Sequence, residues 1–416
     1  MSFDYNNDDH DYDHGRLNRL LILPEMTDHP ALQDPEPREI LQDFADFQCN
    51  DISSLVALAF HLNVPVFDGT VAETKSGTAV QIGSGAFATV WRTELRQGIR
   101  QKYQRGAKAE SISSGLASSP SLGPNHNLAQ SAVIKRVFTE DRLNDEIAVA
   151  EISQELRILG QKHIQEHRNI VDIIGLDWER YPFGVPGAPY RLPALLLEYG
   201  DCGTLEDFFR LQGIEYTWEV KVHLLYDIAN GLDALSDSEV CHGDLKLTNV
   251  LVFRNGKNSF LAKLCDFGSA VVAIDVDTKF CLKSFTPPWN APESVEDVDR
   301  DDLDKVDFYG YGLIACRVAL EGGNPFDIAL DGTPEADDLV ARNAAIRTWK
   351  SQDKVSEICL SAIKRASGIH YTGAQFEMLS TLIDCTVRTS ASNRADEYSE
   401  IKFLLKPEEN VEENKW

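Results

Sequence analysis

The chain has 416 residues, of which 43% are hydrophobic, and it carries a formal net charge of −26. This length predicts about two or three packed units with a full apolar core. The negative charge argues against binding to nucleic acid or anionic lipid through bulk attraction. The chain contains no run of about 18 apolar residues, so no membrane-spanning helix is expected.

The first 70 residues are predicted to be an acidic, partly disordered extension. Residues 1–36 combine an acidic cluster with prolines, a composition typical of disorder. Apolar residues at three- and four-residue spacings predict one or two short helices within residues 38–62, which could pack on the following lobe.

The start of the chain, MSFDYNNDDHDYDH, lacks the basic and apolar regions of a secretory signal. The eight cysteines include no C-x-x-C pair, which favours free thiols in a reducing compartment. We therefore expect an intracellular, cytoplasmic protein. Dispersed basic residues at 96–108 leave a nuclear location open.

Residues 71–405 are predicted to form one α+β domain. Its N-terminal lobe, residues 71–197, is β-rich and has one main helix. A loop at residues 96–131, basic at first and then rich in serine, is inserted between two strands. This loop is either a tolerated insertion or a phosphorylated or partner-binding segment. The lobe's elements are a strand–turn–strand at 78–95, strands at 132–138 and 193–199, and a helix at 143–161.

Helical patterns dominate the C-terminal lobe, residues 203–405. They are interrupted by short strands near 250–253 and 261–265. Residues 406–416 form an acidic tail. We expect the smaller β-rich lobe and the larger helical lobe to be joined by the strand that ends near Tyr199.

The chemistry is concentrated in the catalytic loop, His242-Gly243-Asp244-Leu245-Lys246-Leu247-Thr248-Asn249, and in Asp266-Phe267-Gly268, which begins 17 residues after that loop ends. Asp244 can accept a proton from an attacking hydroxyl group. Asn249 and Asp266 offer the oxygen ligands that Mg²⁺ prefers. This combination is typical of phosphoryl transfer, in which the metal neutralises charge on the phosphates.

These motifs resemble those of the eukaryotic protein kinase family. About nine family motifs occur in the family's order between residues 78 and 405. The resemblance implies a bilobal α+β fold and Mg²⁺-dependent transfer of phosphate from ATP to Ser or Thr residues of protein substrates. The further matches are the glycine-rich segment 82–90, Ala132-Val133-Ile134-Lys135, Glu155 with its following residues, Ala291-Pro292-Glu293, Asp307 and Arg394.

The resemblance also implies how ATP is held. Lys135 would contact the α- and β-phosphates. Its partner carboxylate is one of Glu146, Glu151 and Glu155. The family's register favours Glu155, with Glu151 as the second choice. The full set implied to bind the nucleotide is Ile82, Gly83, Ser84, Gly85, Ala86, Phe87, Ala88, Val90, Val133, Lys135, Leu197, Glu198, Tyr199 and Leu251.

At the catalytic end, the resemblance implies that Asp244 orients the substrate hydroxyl and that Lys246 offsets charge on the transferring phosphoryl group. Asn249 and Asp266 would hold Mg²⁺. Two further matches have scaffold roles. Asp307 would hold the backbone of the catalytic loop, and Arg394 would pair with Glu293.

The sequence departs from the family pattern at several positions. Ala88 replaces the third glycine of the glycine-rich loop, and Phe285 replaces a glycine before Thr286. Gly243 stands where the family has an arginine that a phosphorylated activation loop contacts. We therefore predict that activity does not depend on activation-loop phosphorylation through this contact.

Two alternative functions deserve comparison. Small-molecule phosphotransferases share an H-x-D motif, but Lys246, Asp266-Phe267-Gly268 and Ala291-Pro292-Glu293 favour a protein kinase. The departures at Ala88 and Gly243 keep a second alternative open, a pseudokinase or scaffold that binds nucleotide and partners without efficient catalysis. The sequence does not reveal regulatory partners.

Overall fold

The computed structural model describes residues 51–67, 79–84, 88–95, 131–137, 146–185, 188–256, 258–273, 279–282, 286–366 and 368–406. Several predicted features lie outside these ranges. They are the first 50 residues, the turn of the glycine-rich loop at 85–87, nearly all of the inserted loop and the last ten residues.

A six-stranded sheet forms the N-terminal lobe, with strand order β1-β5-β6-β4-β3-β2. All neighbours are antiparallel except β1 and β5. The predicted insertion connects β3 to β4, and these strands pair directly with each other. The strands are β1 Val66–Phe67, β2 Val80–Ser84, β3 Thr89–Glu94, β4 Ser131–Arg136, β5 Ile173–Val185 and β6 Ala188–Glu198.

The helices of this lobe are α1 Ile52–His61, α2 Glu146–Leu159 and α3 Lys162–Gln165. Asp51 caps α1, because its carboxylate accepts a hydrogen bond from the Ser54 N–H at 2.8 Å. Since β1 joins the sheet and α1 contacts α2, residues 52–67 pack as part of this lobe. The sequence had suggested that the folded domain begins at residue 71. The packing of residues 52–67 places its start further upstream.

Helices build the C-terminal lobe around α6, which is buried along nearly its whole length. Even Lys305 and Asp307 of this helix are buried, which places α6 at the centre of the lobe. Thr217 caps the long helix α5 through the Val220 N–H. The helices are α4 Leu205–Phe208, α5 Trp218–Asp237, α6 Leu303–Ala319, α7 Pro325–Leu330, α8 Leu339–Ser351, α9 Val355–Arg365, α10 Gly373–Thr386 and α11 Tyr398–Leu405.

Three short antiparallel pairs fix the segments between the helices: β7 with β10, β8 with β9, and β11 with β12. The catalytic loop runs from the end of β7 to the start of β8, and Asp266 follows β9. Both motifs therefore lie beside paired strands. The bounds are β7 Val240–Cys241, β8 Val250–Arg254, β9 Phe260–Leu264, β10 Val271–Val272, β11 Lys279–Cys281 and β12 Asp297–Asp299.

One apolar core continues from the N-terminal sheet and α2 into α5 and α6. A second core lies among α6, α9 and α10. The bilobal α+β architecture predicted from the sequence is confirmed. The boundaries of most predicted elements differ from the observed ones by only a few residues. Two differences are larger: β5 was not predicted, and β6 begins at Ala188 rather than at residue 193.

Candidate active site

Lys135 lies on β4, between β3 and β6 in the sheet. Its Nζ atom is 2.5 Å from Glu155 Oε2 and 2.7 Å from Asp266 Oδ1. Burial opposes the positive charge, but the two carboxylates outweigh it and raise the pKa of Lys135 above its usual value. The lysine is therefore a fixed cation shared by a helix of one lobe and a loop of the other.

Glu155 is buried on α2, with only 1% of its surface exposed. Burial raises the pKa of Glu155 above its usual value, although the Lys135 ammonium acts in the opposite direction. The structure thus places the first-choice glutamate, rather than the alternative Glu151, against the lysine. Pairing with a shared cation compensates for much of the cost of burying this carboxylate.

The Asp307 carboxylate of α6 holds the backbone of the catalytic loop. Its two carboxylate oxygens accept hydrogen bonds from the backbone N–H groups of His242, at 2.6 Å, and Gly243, at 3.0 Å. Gly243 has a φ of +73°, in the left-handed region that glycine adopts without steric cost. A Cβ atom there would lie 3.1 Å from the Ser269 carbonyl oxygen. The scaffold role expected of Asp307 is confirmed.

Asp244 is at the centre of a polar cluster. Its Oδ2 atom is 2.5 Å from Lys246 Nζ, and its Oδ1 atom accepts a hydrogen bond from the Thr286 hydroxyl at 2.8 Å. Lys246 also donates to the Thr286 oxygen at 3.2 Å. Asn249 Nδ2 donates to the Asp244 carbonyl at 2.8 Å. The carboxylate is therefore oriented from several sides.

Asn249 and Asp266 lie close together, because the backbone N–H of Cys265 donates to the Asn249 carbonyl at 3.0 Å. The positive charge of Lys135 lowers the pKa of Asp266 to about 2. The Asp266 side chain is 48% exposed, so its carboxylate remains accessible. Asn249 donates a hydrogen bond to Asp244 from its amide nitrogen, so this bond does not engage its amide oxygen. An ionised carboxylate and an amide oxygen fit the ligand preference of Mg²⁺.

The ring of Phe267 packs against that of His242, with ring centroids 5.2 Å apart. Both residues are fully buried. His242 Nε2 also lies 3.1 Å from the Cys265 carbonyl oxygen. This packing anchors the residues on both sides of Asp266 and holds its carboxylate beside Lys135.

The residues predicted to contact the adenine lie where the sheet meets the second lobe. Val133 and Leu197 are paired across β4 and β6 and are buried. Three half-buried residues, Val90, Tyr199 and Leu251, pack against the same core. Of the glycine-rich loop, Ile82, Gly83 and Ser84 lie on β2 and Ala88 directly precedes β3, while Gly85, Ala86 and Phe87 lie outside the described residues.

The Glu198 side chain belongs to a network that the sequence did not predict. Its carboxylate is 2.5 Å from Lys263 Nζ and accepts from the Asp172 N–H at 2.8 Å. Burial raises the pKa of Glu198 to about 7, although Lys263 acts in the opposite direction. Its neighbour Tyr199 carries the guanidinium of Arg92 over its ring, 4.5 Å from the centroid. Both contacts tie the connection between the lobes to neighbouring strands.

Residues 286–293, the substrate loop, are braced by cations from the C-terminal lobe. Arg394 donates to both oxygens of Glu293, at 2.5 and 2.8 Å, which confirms the predicted pair. Lys350 of α8 donates to the Asn290 carbonyl at 2.5 Å. The guanidinium of Arg317, on α6, lies 5.4 Å from the centre of the Trp289 ring. Sequence reasoning missed the last two contacts, because a cation on a helix resembles ordinary surface charge.

Comparison with known proteins agrees with this geometry. A family model of the protein kinase domain matches residues 107–376. The chain belongs to the protein kinase family. The match covers more than half of the chain and confirms the resemblance seen in the sequence.

Individual relatives are distant. The chain is 26% identical over 308 residues to the leucine-rich repeat receptor-like protein kinase PXC2 of Arabidopsis thaliana, covering 72% of this chain and 25% of that protein. It is 27% identical over 248 residues to the dual specificity protein kinase pyk3 of Dictyostelium discoideum, covering 59% of this chain and 16% of that protein. It is 35% identical over 126 residues to the human dual specificity testis-specific protein kinase 2, covering 30% of this chain and 21% of that protein. The chain thus spans a quarter or less of the length of these relatives.

Within the part of the chain that the structure describes, no helix combines the length and the apolar character needed to cross a membrane.

Proposed function

We propose that this chain is an active protein kinase that transfers the γ-phosphate of ATP to Ser and Thr hydroxyl groups of proteins. The observation that carries the proposal is the cluster of Asp244, Lys246 and Thr286. A lysine two residues after the catalytic aspartate, bonded to a threonine of the substrate loop, is the arrangement expected for Ser/Thr transfer. The pairing of Lys135 with Glu155 supports catalytic competence.

In the proposed mechanism, Lys135 binds the α- and β-phosphates while Glu155 keeps its ammonium in place. Asp244 accepts a hydrogen bond from the substrate hydroxyl and orients it for attack on the γ-phosphorus. Lys246 is close enough to Asp244 to offset negative charge as the phosphoryl group moves. Such sites act mainly by positioning and by electrostatic stabilisation.

Asn249 and Asp266 are proposed to hold Mg²⁺. When bound, this ion would neutralise negative charge on the phosphates. Because the pKa of Asp266 is held near 2 by Lys135, its carboxylate remains ionised at every physiological pH and needs no proton release to bind the metal.

The adenine is proposed to lie between Val90 and Val133 on one side and Leu251 on the other. The backbone of residues 198–200 would hydrogen-bond the base. The Glu198 side chain supports this assignment, since it turns to Lys263 and Asp172 and stabilises the strand that presents those backbone groups.

The test is transfer of labelled γ-phosphate from Mg-ATP by the purified full chain to peptide libraries with Ser, Thr or Tyr acceptors. Wild type is expected to label Ser and Thr peptides, and Asp244→Asn is expected to lose this activity. Asp337→Asn, which makes the same charge change at an exposed position, is the matched control. Labelling of tyrosine alone would overturn the specificity. Nucleotide binding without transfer would favour the scaffold alternative.

A further inference from the structure

A segment upstream of the family match packs as part of the N-terminal lobe. Helix α1 lies before residue 107, where the family model begins, yet its apolar face is buried. Leu55 and Leu58 have no exposed surface, and Leu62 is 8% exposed. Their spacing places them on one helix face. This face contacts α2, and it shares one apolar core with Ile152 and Leu156 of that helix.

The end of α2 fits closely against this segment. A Cβ atom on Gly160, the residue after α2, would lie 2.6 Å from Leu62 Cδ1. Real side chains do not approach so closely, so only glycine permits this contact without a shift. Leu156 is the neighbour of Glu155 and is fully buried. The contact with α1 therefore reaches the turns of α2 that carry the catalytic glutamate.

The same segment is also anchored to the sheet. Strand β1 adds to the edge of β5, with Val66 opposite Leu176. The Leu176 N–H donates to the Pro65 carbonyl at 2.8 Å. A Cβ on Gly175 would lie 2.5 Å from Phe67 Cε2. Residues 52–67 therefore contact both bodies that carry the ion pair, the sheet with Lys135 and the helix with Glu155.

We propose that residues 52–67, which we call the N-terminal clamp, position α2 so that Glu155 meets Lys135. Leu58 and Leu62 are its positioning residues. Charge attraction between Glu155 and Lys135 falls with distance, so a modest outward movement of α2 would separate them. On the activation-segment side, Gln154 Nε2 of α2 donates a hydrogen bond to the Ala270 carbonyl at 3.1 Å. The proposal rests on the proposed function, because it assigns a role in nucleotide binding and turnover.

A double-mutant cycle between Leu58→Ala and Glu155→Gln tests the clamp in the full chain. The readouts are the affinity for Mg-ATP and the kcat/KM for a Ser/Thr peptide. Leu58→Ala is expected to weaken both by about tenfold in the wild-type background, a coupling typical of residues in one network. In the Glu155→Gln background it should have almost no further effect, because the ion pair is already lost.

Two controls separate positioning from general stability. Phe60→Ala alters the same helix at a side chain that is 44% exposed and should leave both readouts unchanged. Leu379→Ala removes a leucine that is 1% exposed in the core of the other lobe. It should lower the melting temperature about as much as Leu58→Ala and show no coupling to Glu155. Leu62→Ala replaces Leu58→Ala in the cycle if the latter does not fold.

The outcomes distinguish the two proposals. Equal losses in both Glu155 backgrounds, or the same coupling from Leu379→Ala, would overturn the clamp. If wild type binds Mg-ATP but transfers no phosphate, the proposed function fails, and the cycle on nucleotide affinity still decides the clamp. If wild type binds no nucleotide, both proposals are wrong.

Discussion

The Thr286 hydroxyl donates a hydrogen bond to Oδ1 of Asp244 across 2.8 Å, so the substrate loop is attached directly to the proposed catalytic carboxylate. The bond orients Asp244 from the side opposite the Lys246 contact with Oδ2. It makes the conformation of the substrate loop a determinant of the catalytic geometry.

We predict that Thr286→Val lowers kcat for a Ser/Thr peptide by about tenfold to a hundredfold, the range that follows from losing a hydrogen bond to a charged group. Thr286→Ser, which keeps the hydroxyl, should retain most of the activity. Initial rates at saturating ATP measure the effect. An increase in kcat for Thr286→Val would instead mean that Thr286 competes with the substrate hydroxyl.

The buried ammonium of Lys350 should make stability depend on pH. Burial lowers its pKa from the usual 10.5 to about 7, although Glu293 acts in the opposite direction. Between these values the unfolded chain binds more protons than the folded one, so stability should rise as pH rises from about 7 towards 10.5. Even half of this pKa shift corresponds to a rise of about 2 kcal/mol in the free energy of unfolding.

The measurement is the free energy of unfolding in urea between pH 7 and 10, for wild type and Lys350→Met. The difference between the two proteins isolates Lys350 from other groups that titrate in this range. The variant should lose the rise with pH. Arg347→Met, on the same helix but exposed, should keep it. Parallel curves for wild type and Lys350→Met would show that Lys350 remains charged.

Removing one partner of the Glu293–Arg394 pair is expected to be strongly destabilising. The Arg394 side chain is fully buried, and it also donates to the carbonyl oxygens of Arg388 and Lys305. Arg394→Ala should lower the free energy of unfolding by about 3–5 kcal/mol, because it leaves a carboxylate and several carbonyls without their partner. Urea unfolding at neutral pH measures this loss.

Arg210 offers a matched comparison. It pairs with Glu206 at 2.9 Å, but its side chain is 67% exposed. Arg210→Ala should cost no more than about 0.5 kcal/mol. Similar losses for the two arginine variants would contradict the argument from burial.

Gly243 leads to a prediction about regulation. The position that usually supplies an arginine to an activation-loop phosphate holds a glycine with φ of +73°. Combined replacement of Ser269, Thr278 and Ser284 by Ala should therefore leave kcat/KM within about twofold of wild type, the range expected for substitutions without a special role. A phosphatase-treated wild-type sample should behave in the same way. A phosphosite in this segment whose loss abolishes activity would contradict the prediction.

The sequence predicted those parts of the site in which chemistry limits the choice of residue. Asp307 beneath the catalytic loop and Arg394 against Glu293 were both found from motif order alone. These pairs connect residues far apart in the chain, and the family's motif pattern supplied the long-range information that local patterns lack.

Other features could not be predicted, for identifiable physical reasons. Strand β1 has two residues, too few to show an alternating pattern. The partners of Lys350 and Glu198 come from distant elements, and nothing in a local sequence window marks a lysine or glutamate that becomes buried. The six-stranded sheet and the substrate-loop braces are therefore results of the structure.

The position of Lys135 between Glu155 and Asp266 affects the choice of an inactive variant for cell experiments. Replacing this lysine by methionine leaves two carboxylates facing each other, and their repulsion favours protonation of one or separation of the lobes. A phenotype of Lys135→Met would then reflect a changed conformation of the protein as well as any loss of catalysis. Asp244→Asn removes one negative charge and leaves Glu155 and Asp266 paired with Lys135. It would therefore test the proposed kinase activity without disturbing this pairing.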